Sequence, residues 1–459
     1  MQIVLLSGGS GKRLWPLSNE IRSKAFLRLL PTEAGGVESM IERVCRGLEE
    51  VGLLDSSCIV THRSQVEITR KSVGAQVPLL AEPQKRGTFT AVALAASYLH
   101  SVKGMDSKEI VVVIPVDSYV ETSFFKQLHQ FPSVLAESQA DIALIGVLPE
   151  FPSTQFGYIL PGEGSGVGGT SFLNVEQFAE KPDESTAAEF ISQGGLWNCG
   201  VFSCSLGYLL SSMKERNLPV DYMEFLGHYD QLPERSFDYE VLEHTRRAVV
   251  IPYIGVWADI GSWDALVPHL QGTVIGEGSI SEDSKGTHLI NELSCPVHII
   301  GAPGLIVAAG PDGILVAGIE QAKRIKQKLE GHAAKPMIEE KRWGTSRILD
   351  FSRTAAGIEV TTSKITILAG EHTSYHFHQH TKEVWSFLSG NGEYRMNGHL
   401  HTVAAGDTVT IPAGTKHGLR AITALELIII ELLEFPEVDD YVRVSAEWEG
   451  EDSFLDDLG

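Results

Sequence analysis

The chain alternates between apolar and polar stretches in two regimes. In the first, short continuous apolar runs are separated by stretches with helical spacing. Gln2-Ile3-Val4-Leu5-Leu6, Cys58-Ile59-Val60, Ile110-Val111-Val112-Val113-Ile114 and Ile142-Ala143-Leu144-Ile145-Gly146-Val147 read as buried strands, since a strand covered on both faces is apolar at every position. Residues 38–50 place apolar side chains on one side only, which predicts an amphipathic helix, and an alanine-rich stretch ending near His100 predicts another. Strands alternating with helices predict an α/β domain with a mostly parallel sheet over residues 1–270. From about residue 271 the pattern changes. Gly, Ser and short apolar runs alternate, with Leu305-Ile306-Val307-Ala308-Ala309 and Gly313-Ile314-Leu315-Val316-Ala317 as the clearest strands. A helix over 319–329 and a linker over 331–340 follow. This predicts a short β-rich middle segment, residues 271–335, of partial β-helix type. Residues 336–459 are again rich in short strands.

The first strand runs into Leu6-Ser7-Gly8-Gly9-Ser10-Gly11-Lys12-Arg13-Leu14-Trp15-Pro16-Leu17-Ser18. Glycines permit tight backbone and close approach to a ligand. Lys12 and Arg13 add two cations, so the loop suits phosphates held by backbone N–H groups and side chains. It is neither common phosphate motif. A P-loop needs glycine where Leu6 stands and Ser or Thr where Arg13 stands. The dinucleotide fingerprint fails at Leu14. Further on, Asp117 ends the strand that begins at Ile110. In an open α/β sheet that end faces ligands, although an Asp there also suits a helix cap.

A second constellation lies near the C-terminus. Gly370, His376, His378, Glu383 and Gly390 have the spacing G-x5-HxH-x4-E-x6-G, and Gly406, Pro412, Gly414 and His417 have G-x5-P-x-G-x2-H. Imidazoles two apart on a strand share a face. With Glu383 and His417 they give three nitrogens and one oxygen, a donor set for Zn²⁺ or another divalent transition metal.

The opening string resembles the signature of the sugar-phosphate nucleotidyltransferases, in particular the mannose-1-phosphate guanylyltransferases, with Lys12 where Thr is usual. Further strings agree. Glu82-Pro83-Gln84-Lys85-Arg86-Gly87-Thr88 is similar to the family's EPxxRNT, with Gly87 for Asn. Phe156-Gly157-Tyr158-Ile159, Phe178-Ala179-Glu180-Lys181-Pro182-Asp183, Trp197-Asn198-Cys199-Gly200 and Trp257-Ala258-Asp259-Ile260-Gly261-Ser262-Trp263 resemble further family strings. Ser236-Phe237-Asp238-Tyr239 precedes the last of these. The resemblance implies a Rossmann-like nucleotidyltransferase domain making GDP-mannose and diphosphate from GTP and α-D-mannose 1-phosphate. It implies that Arg13, Lys24, Asp117, Lys181 and Asp259 are catalytic, with Asp117 and Asp259 holding Mg²⁺. It assigns Leu6, Ser7, Gly8, Gly9, Gly11, Lys12, Arg13, Glu82, Arg86 and Thr88 to the nucleotide. Gly157, Glu180, Lys181 and Asn198 fall to the sugar phosphate. The two histidine motifs resemble those of the cupins, which implies a C-terminal β-barrel over 336–459. The whole resembles proteins that join a guanylyltransferase to a cupin phosphomannose isomerase. The isomerase signature is altered here, with His376, Gln379 and Thr381 where Gln, His and Arg are usual. A bifunctional enzyme, a transferase for another sugar 1-phosphate and a non-catalytic sensor remain as alternatives.

Composition narrows the setting. The 459 residues are 43% hydrophobic and 21% charged, ordinary for a globular chain of two or three domains. A net charge of −22 argues against nucleic acid or an anionic membrane as partner. No signal peptide or membrane span is expected, and five cysteines without a CxxC pair read as reduced thiols in a cytoplasmic protein. The expected partners are GTP, mannose 1-phosphate and a second copy of the chain in a homodimer.

Overall fold

A computed structural model describes residues 1–9, 12–162, 172–329, 335–434, 440–445 and 448. The chain divides into two compact units. One comprises Met1–Gly11, Ser23–Val66 and Ser72–Gln271; the other comprises Lys12–Arg22, Glu67–Lys71 and Gly272–Gly459.

The first unit is built on a nine-stranded sheet. Its strands are β1 (Gln2–Ser7), β2 (Ser57–His62), β3 (Leu79–Glu82), β4 (Ile110–Pro115), β5 (Ile142–Val147), β6 (Gly157–Pro161), β7 (Leu173–Ala179), β8 (Leu196–Ser205) and β9 (Ala248–Tyr253). Their order is β3-β2-β1-β4-β8-β5-β9-β7-β6. The sheet is parallel from β3 to β4, and β8 then enters antiparallel to both β4 and β5. The sheet is therefore mixed. Its parallel part is the part whose apolar runs lack alternation, and Ile3, Val4 and Leu5 are fully buried there. Helix α1 (Met40–Glu50) opens with a capping box in which Ser39 and Glu42 satisfy each other's backbone N–H groups. Helix α2 (Gly87–Ser97) is alanine-rich and buried almost throughout, so it packs close to the sheet. It continues into one wide turn, Tyr98–Val102. Helix α3 spans Glu184–Ser192, and the short helix α4 (Phe237–Glu240), whose Phe237 stacks on Phe202 of β8, carries Asp238 of the site described below.

In the second unit the middle segment pairs Val274–Ile275, His288–Asn291 and Leu305–Gly310 in parallel, as a β-helix coil does, and Gly313–Gly318 closes the sheet antiparallel. The Lys12–Arg22 stretch packs into this unit. Arg22 pairs with Glu292 at 2.7 Å and Glu340 at 3.0 Å, and Asn19 Nδ2 donates to Asp312 Oδ2 at 2.8 Å. Gly313 lies under Trp15, where a Cβ would come within 2.5 Å of the indole. The last residues of the expected linker, 338–340, belong instead to a strand, Ile338–Lys341, paired with Gly344–Arg353. Beyond them a six-stranded and a five-stranded sheet face each other around an apolar core that includes Ile367, Trp385, Phe387 and Leu427. Among the described residues no helix is long and apolar enough to cross a membrane.

Candidate functional site

At the end of β1 the chain turns through Gly8 and Gly9 into a cavity of about 320 Å³. Leu6, Ser7, Gly8 and Gly9 form one wall, as expected of the glycine loop. Gly11 and the Lys12 side chain lie outside the described residues. Arg13 sits half-buried on the single turn Lys12–Leu14, which belongs to the second unit.

Lys24, Asp117 and Asp259 come together. Asp117 follows β4 after one residue, and the short strand Trp257–Ala258 pairs antiparallel with Tyr119–Val120, Ala258 opposite Tyr119. Residues just before Tyr119 and just after Ala258 therefore lie side by side. The Lys24 Nζ reaches both carboxylates, 2.8 Å from Asp259 Oδ1 and 3.0 Å from Asp117 Oδ2. Burial alone would depress the ammonium, but the fields of Asp117 and Asp259, with hydrogen bonds to both, outweigh it and raise its pKa. Gly261 gives this trio room: a Cβ there would lie 2.9 Å from Asp259 Oδ1 and 3.1 Å from Lys24 Nζ. Two hard carboxylate oxygens converging on one cation fit the donor chemistry of Mg²⁺.

Glu82 and Arg86 lie at another part of the cavity wall. Glu82 is buried at the end of β3 and accepts a 2.6 Å hydrogen bond from the Tyr229 hydroxyl. Burial raises its pKa, and the Tyr229 hydrogen bond and the charge of Lys85 oppose the rise. Arg86 Nη2 is held at 2.6 Å by both Gln84 Oε1 and the Asp230 carbonyl. Thr88 lines the cavity, while its Oγ1 accepts from the Phe237 backbone N–H at 2.9 Å. Gly87 has φ +81° and lies so close to Arg235 that a Cβ would be 2.2 Å from its carbonyl oxygen.

The residues assigned to the sugar phosphate also gather. Lys181, at φ +47°, places Nζ 2.6 Å from Glu180 Oε1. Burial would lower the Lys181 pKa, but Glu180 and then Asp238 raise it; Glu180 is itself raised by burial and by Asp238. Gly157 lies against Glu180, with its absent Cβ 2.6 Å from Oε2. Asn198 Nδ2 donates to Asp238 Oδ1 at 3.0 Å, and Asn198 Oδ1 accepts from the Gly200 N–H at 3.0 Å. Gly200, at φ +76°, sits in the register irregularity of β8 between Asn198 and Phe202. Asp238 and Tyr229 were given no role by sequence reasoning. Asp238 stands in the string Ser236-Phe237-Asp238-Tyr239, whereas no local pattern marks Tyr229.

Between the two facing sheets of the second unit, His376 and His378 lie on β10 (Tyr375–His378), Glu383 on β11 (Thr381–Ser389) and His417 at the start of β12 (His417–Ala421). One ligand atom from each lies within 4.8 Å of all the others. His376 Nδ1 faces the Ser374 carbonyl at 2.9 Å and His417 Nδ1 the Thr415 carbonyl at 2.8 Å. A carbonyl only accepts, so both Nδ1 atoms carry the proton and both Nε2 lone pairs are available. His378 has Asp440 Oδ2 at 3.3 Å from Nδ1 and Glu383 Oε1 at 3.1 Å from Nε2. His417 Nε2 is 3.4 Å from Glu383 Oε2, poorly aligned for a hydrogen bond, and is a buried polar atom without a hydrogen-bond partner among the described residues. Burial, then His417, holds the His376 pKa down to about 3. Burial would raise the Glu383 carboxyl, but His378 and His417 pull it well below the usual carboxylate range. Imidazoles fixed from behind by oxygen acceptors, with an orphaned inward nitrogen, fit a metal ion.

The nucleotidyl transferase family model matches residues 2–273, and a cupin domain model matches residues 363–432. A mannose-1-phosphate guanylyltransferase of Escherichia coli is 28% identical, over 97% of this chain and 98% of its own. The mannose-1-phosphate guanylyltransferase ManC of Salmonella typhimurium is 29% identical over 96% of each. The crystal structure of a mannose-1-phosphate geranyltransferase from Thermus thermophilus is 28% identical and similar with a TM-score of 0.61, covering 72% of this chain and 99% of that one. Because the transferase match spans more than half of its length, the chain belongs to the nucleotidyl transferase family, with a cupin domain behind the transferase domain.

Proposed function

We propose that the protein is a mannose-1-phosphate guanylyltransferase, converting GTP and α-D-mannose 1-phosphate to GDP-mannose and diphosphate. The observation that carries this reading is the convergence of Lys24, Asp117 and Asp259 beside the glycine loop. Relatives that span nearly the whole chain and bear this name support it. Residues 1–270 are the transferase in this reading, and residues 336–459 the cupin.

A phosphate oxygen of the sugar 1-phosphate attacks the α-phosphorus of GTP, and the bond from that phosphorus to the bridging oxygen of the diphosphate breaks. The attacking oxygen is already anionic, so positioning and charge neutralisation are the main requirements. Lys24 keeps its ammonium charged and holds phosphate oxygens. Lys181 binds the phosphate of the sugar, and Asn198 with Glu180 binds its hydroxyl groups. Backbone N–H groups of Gly8 and Gly9 face the nucleotide phosphates. Arg13 is assigned to the leaving diphosphate, on its place in the motif. Mg²⁺ held by Asp117 and Asp259 would supply charge neutralisation between the two anionic substrates. Five unpaired cysteines fit a cytoplasmic setting.

The test is diphosphate release from the full-length protein with Mg²⁺, across mannose 1-phosphate and glucose 1-phosphate, each with GTP, UTP, dTTP and ATP. Preference for mannose 1-phosphate with GTP is expected. Preference for another pair would move the substrate, and no release with any pair would end the reading. The metal-fitting geometry of His376, His378, Glu383 and His417 also favours a divalent transition metal such as Zn²⁺ in the cupin. Interconversion of fructose 6-phosphate and mannose 6-phosphate by the same protein would add isomerase activity there.

A further inference from the structure

The string Ser236-Phe237-Asp238-Tyr239 has no role in the chemistry so far, yet the fold places Asp238 in the wall of the cavity. Phe237 is fully buried and stacks on Phe202 of β8, with ring centroids 4.2 Å apart and planes 12° apart. The Phe89 ring is also near, with its centroid 6.4 Å away and its plane 24° off that of Phe237. The Phe237 backbone N–H is bound by Thr88 Oγ1. The Ser236 side chain accepts from the Asp238 N–H and caps α4. This wedge leaves Asp238 little freedom. Its carboxylate lines the cavity that also holds Lys24 and the glycine loop. Oδ2 accepts from Ser236 Oγ at 3.0 Å, and Oδ1 accepts from Asn198 Nδ2 at 3.0 Å.

The consequence for Asn198 follows from its hydrogen-bond inventory. The amide has two N–H donors and an oxygen with two lone pairs. Asp238 takes one donor and the Gly200 N–H takes one lone pair. What remains is one donor and one acceptor in a fixed plane, matched to a hydroxyl group that both gives and receives. Asp238 is also close enough to Glu180 and Lys181 for its charge to act on both. An enzyme that separates hexoses differing at one hydroxyl needs polar groups that cannot turn to suit the wrong isomer. An Asn198 amide free to flip would accept either.

We propose that Asp238 is a positioning residue for sugar recognition: it locks the Asn198 amide in one orientation and, with Glu180, fixes which hexose 1-phosphate is accepted. The inference rests on the transferase reading above.

The test compares wild type, Asp238→Ala, Asp238→Asn and Asn198→Ala in steady-state diphosphate release. KM for mannose 1-phosphate should rise about 10- to 100-fold in Asp238→Ala, as expected for losing one or two hydrogen bonds to a charged group. KM for GTP should stay within about twofold, since Asn198, the side chain that Asp238 orients, is assigned to the sugar and not to the nucleotide. The preference for mannose 1-phosphate over glucose 1-phosphate should narrow. Asp238→Asn keeps the size and an acceptor oxygen and should fall between, which also covers the case in which the alanine variant does not fold. The double variant Asp238→Ala/Asn198→Ala should be no worse than Asn198→Ala alone, because both act on one amide. A rise in KM for GTP with unchanged KM for the sugar phosphate would place Asp238 on the nucleotide and overturn the proposal. Unchanged sugar discrimination in both Asp238 variants would overturn it equally. A wild-type protein inactive with every hexose 1-phosphate would remove the transferase reading and this inference with it.

Discussion

Lys24 and Asp259, 235 residues apart in the chain, form a 2.8 Å ion-paired hydrogen bond, and the same ammonium reaches Asp117 at 3.0 Å. One buried cation thus ties the loop after β1 to the ends of two other segments of the sheet domain.

Replacing Lys24 by Met keeps an unbranched side chain one atom shorter and removes the charge. Turnover should fall by about 10²–10³-fold, the usual effect of deleting one preorganised charge stabiliser. The stability cost should exceed the ~1 kcal/mol of an exposed pair but stay below the ~3–5 kcal/mol of a fully buried one. Asp117 and Asp259 remain 41% and 31% exposed, so water screens part of the loss. Diphosphate release and urea unfolding read the two effects separately, and wild-type turnover in Lys24→Met would remove Lys24 from the mechanism.

At Gly87 the fold leaves no room for a larger residue. The φ of +81° there disfavours L side chains, and a Cβ would lie 2.2 Å from the Arg235 carbonyl oxygen. That carbonyl also accepts from the Phe89 N–H at 3.1 Å, so the 235–238 arm cannot retreat without losing a bond. Gly87→Ala should cost at least the ~1–3 kcal/mol of one strained residue. Because the arm carries Asp238, the variant should also raise KM for the sugar phosphate. Thermal unfolding and steady-state kinetics check the two parts, and an unchanged melting temperature would show that the close approach is absent in solution.

The apolar runs that became β1, β4 and β5 were legible because burial on both faces leaves a continuous signal. So were the glycine loop and the cupin spacings, whose residues are close in sequence. Partnerships across long loops were not. Tyr229 and Glu82 are 147 residues apart, and Asn198 and Asp238 are 40 apart; neither pair leaves a periodic trace. The opening string also reads as one motif but serves two bodies. Its glycines wall the cavity, while its Trp15 covers Gly313 in the second unit. The expected linker runs into a strand because Ile338–Lys341 finds a neighbour in Gly344–Arg353, a pairing that its composition does not advertise.

Asp183, the last residue of the Glu-Lys-Pro-Asp string, is the N-cap of α3. Its Oδ1 accepts from the Thr186 N–H at 2.8 Å and from Ser185 Oγ at 2.7 Å, and these bonds, the backbone one first, lower its pKa from 3.8 to about 2. A carboxyl whose pKa is lowered on folding stabilises the folded state above its unfolded value. That stability is lost as pH falls through the folded value. The cap should therefore contribute fully above about pH 5 and fade between pH 3.8 and about 2. Amide-exchange protection in Glu184–Ser192, corrected for intrinsic rates, should be lower in Asp183→Ala than in wild type at neutral pH. The difference should shrink on acidification, and a gap that persisted unchanged to pH 2 would refute the cap assignment.

The cupin site should load a divalent transition metal and respond as a unit. Trp385 Nε1 donates to Glu383 Oε2 at 2.7 Å, and its ring lies 5.5 Å from that of His417, so a paramagnetic ion such as Co²⁺ or Cu²⁺ should quench Trp385 fluorescence. Trp385→Phe should bind the ion without that part of the quench. His417→Ala removes one of the four donors and should abolish stoichiometric binding while leaving diphosphate release intact, because the transferase residues lie elsewhere in the chain. Loading also stabilises the fold by mass action, about 2.7 kcal/mol at a free metal concentration 100 times Kd. A chelator should therefore lower the melting temperature of wild type and leave that of His417→Ala in place. Equal chelator sensitivity in the two proteins would mean that the ion binds outside these four residues.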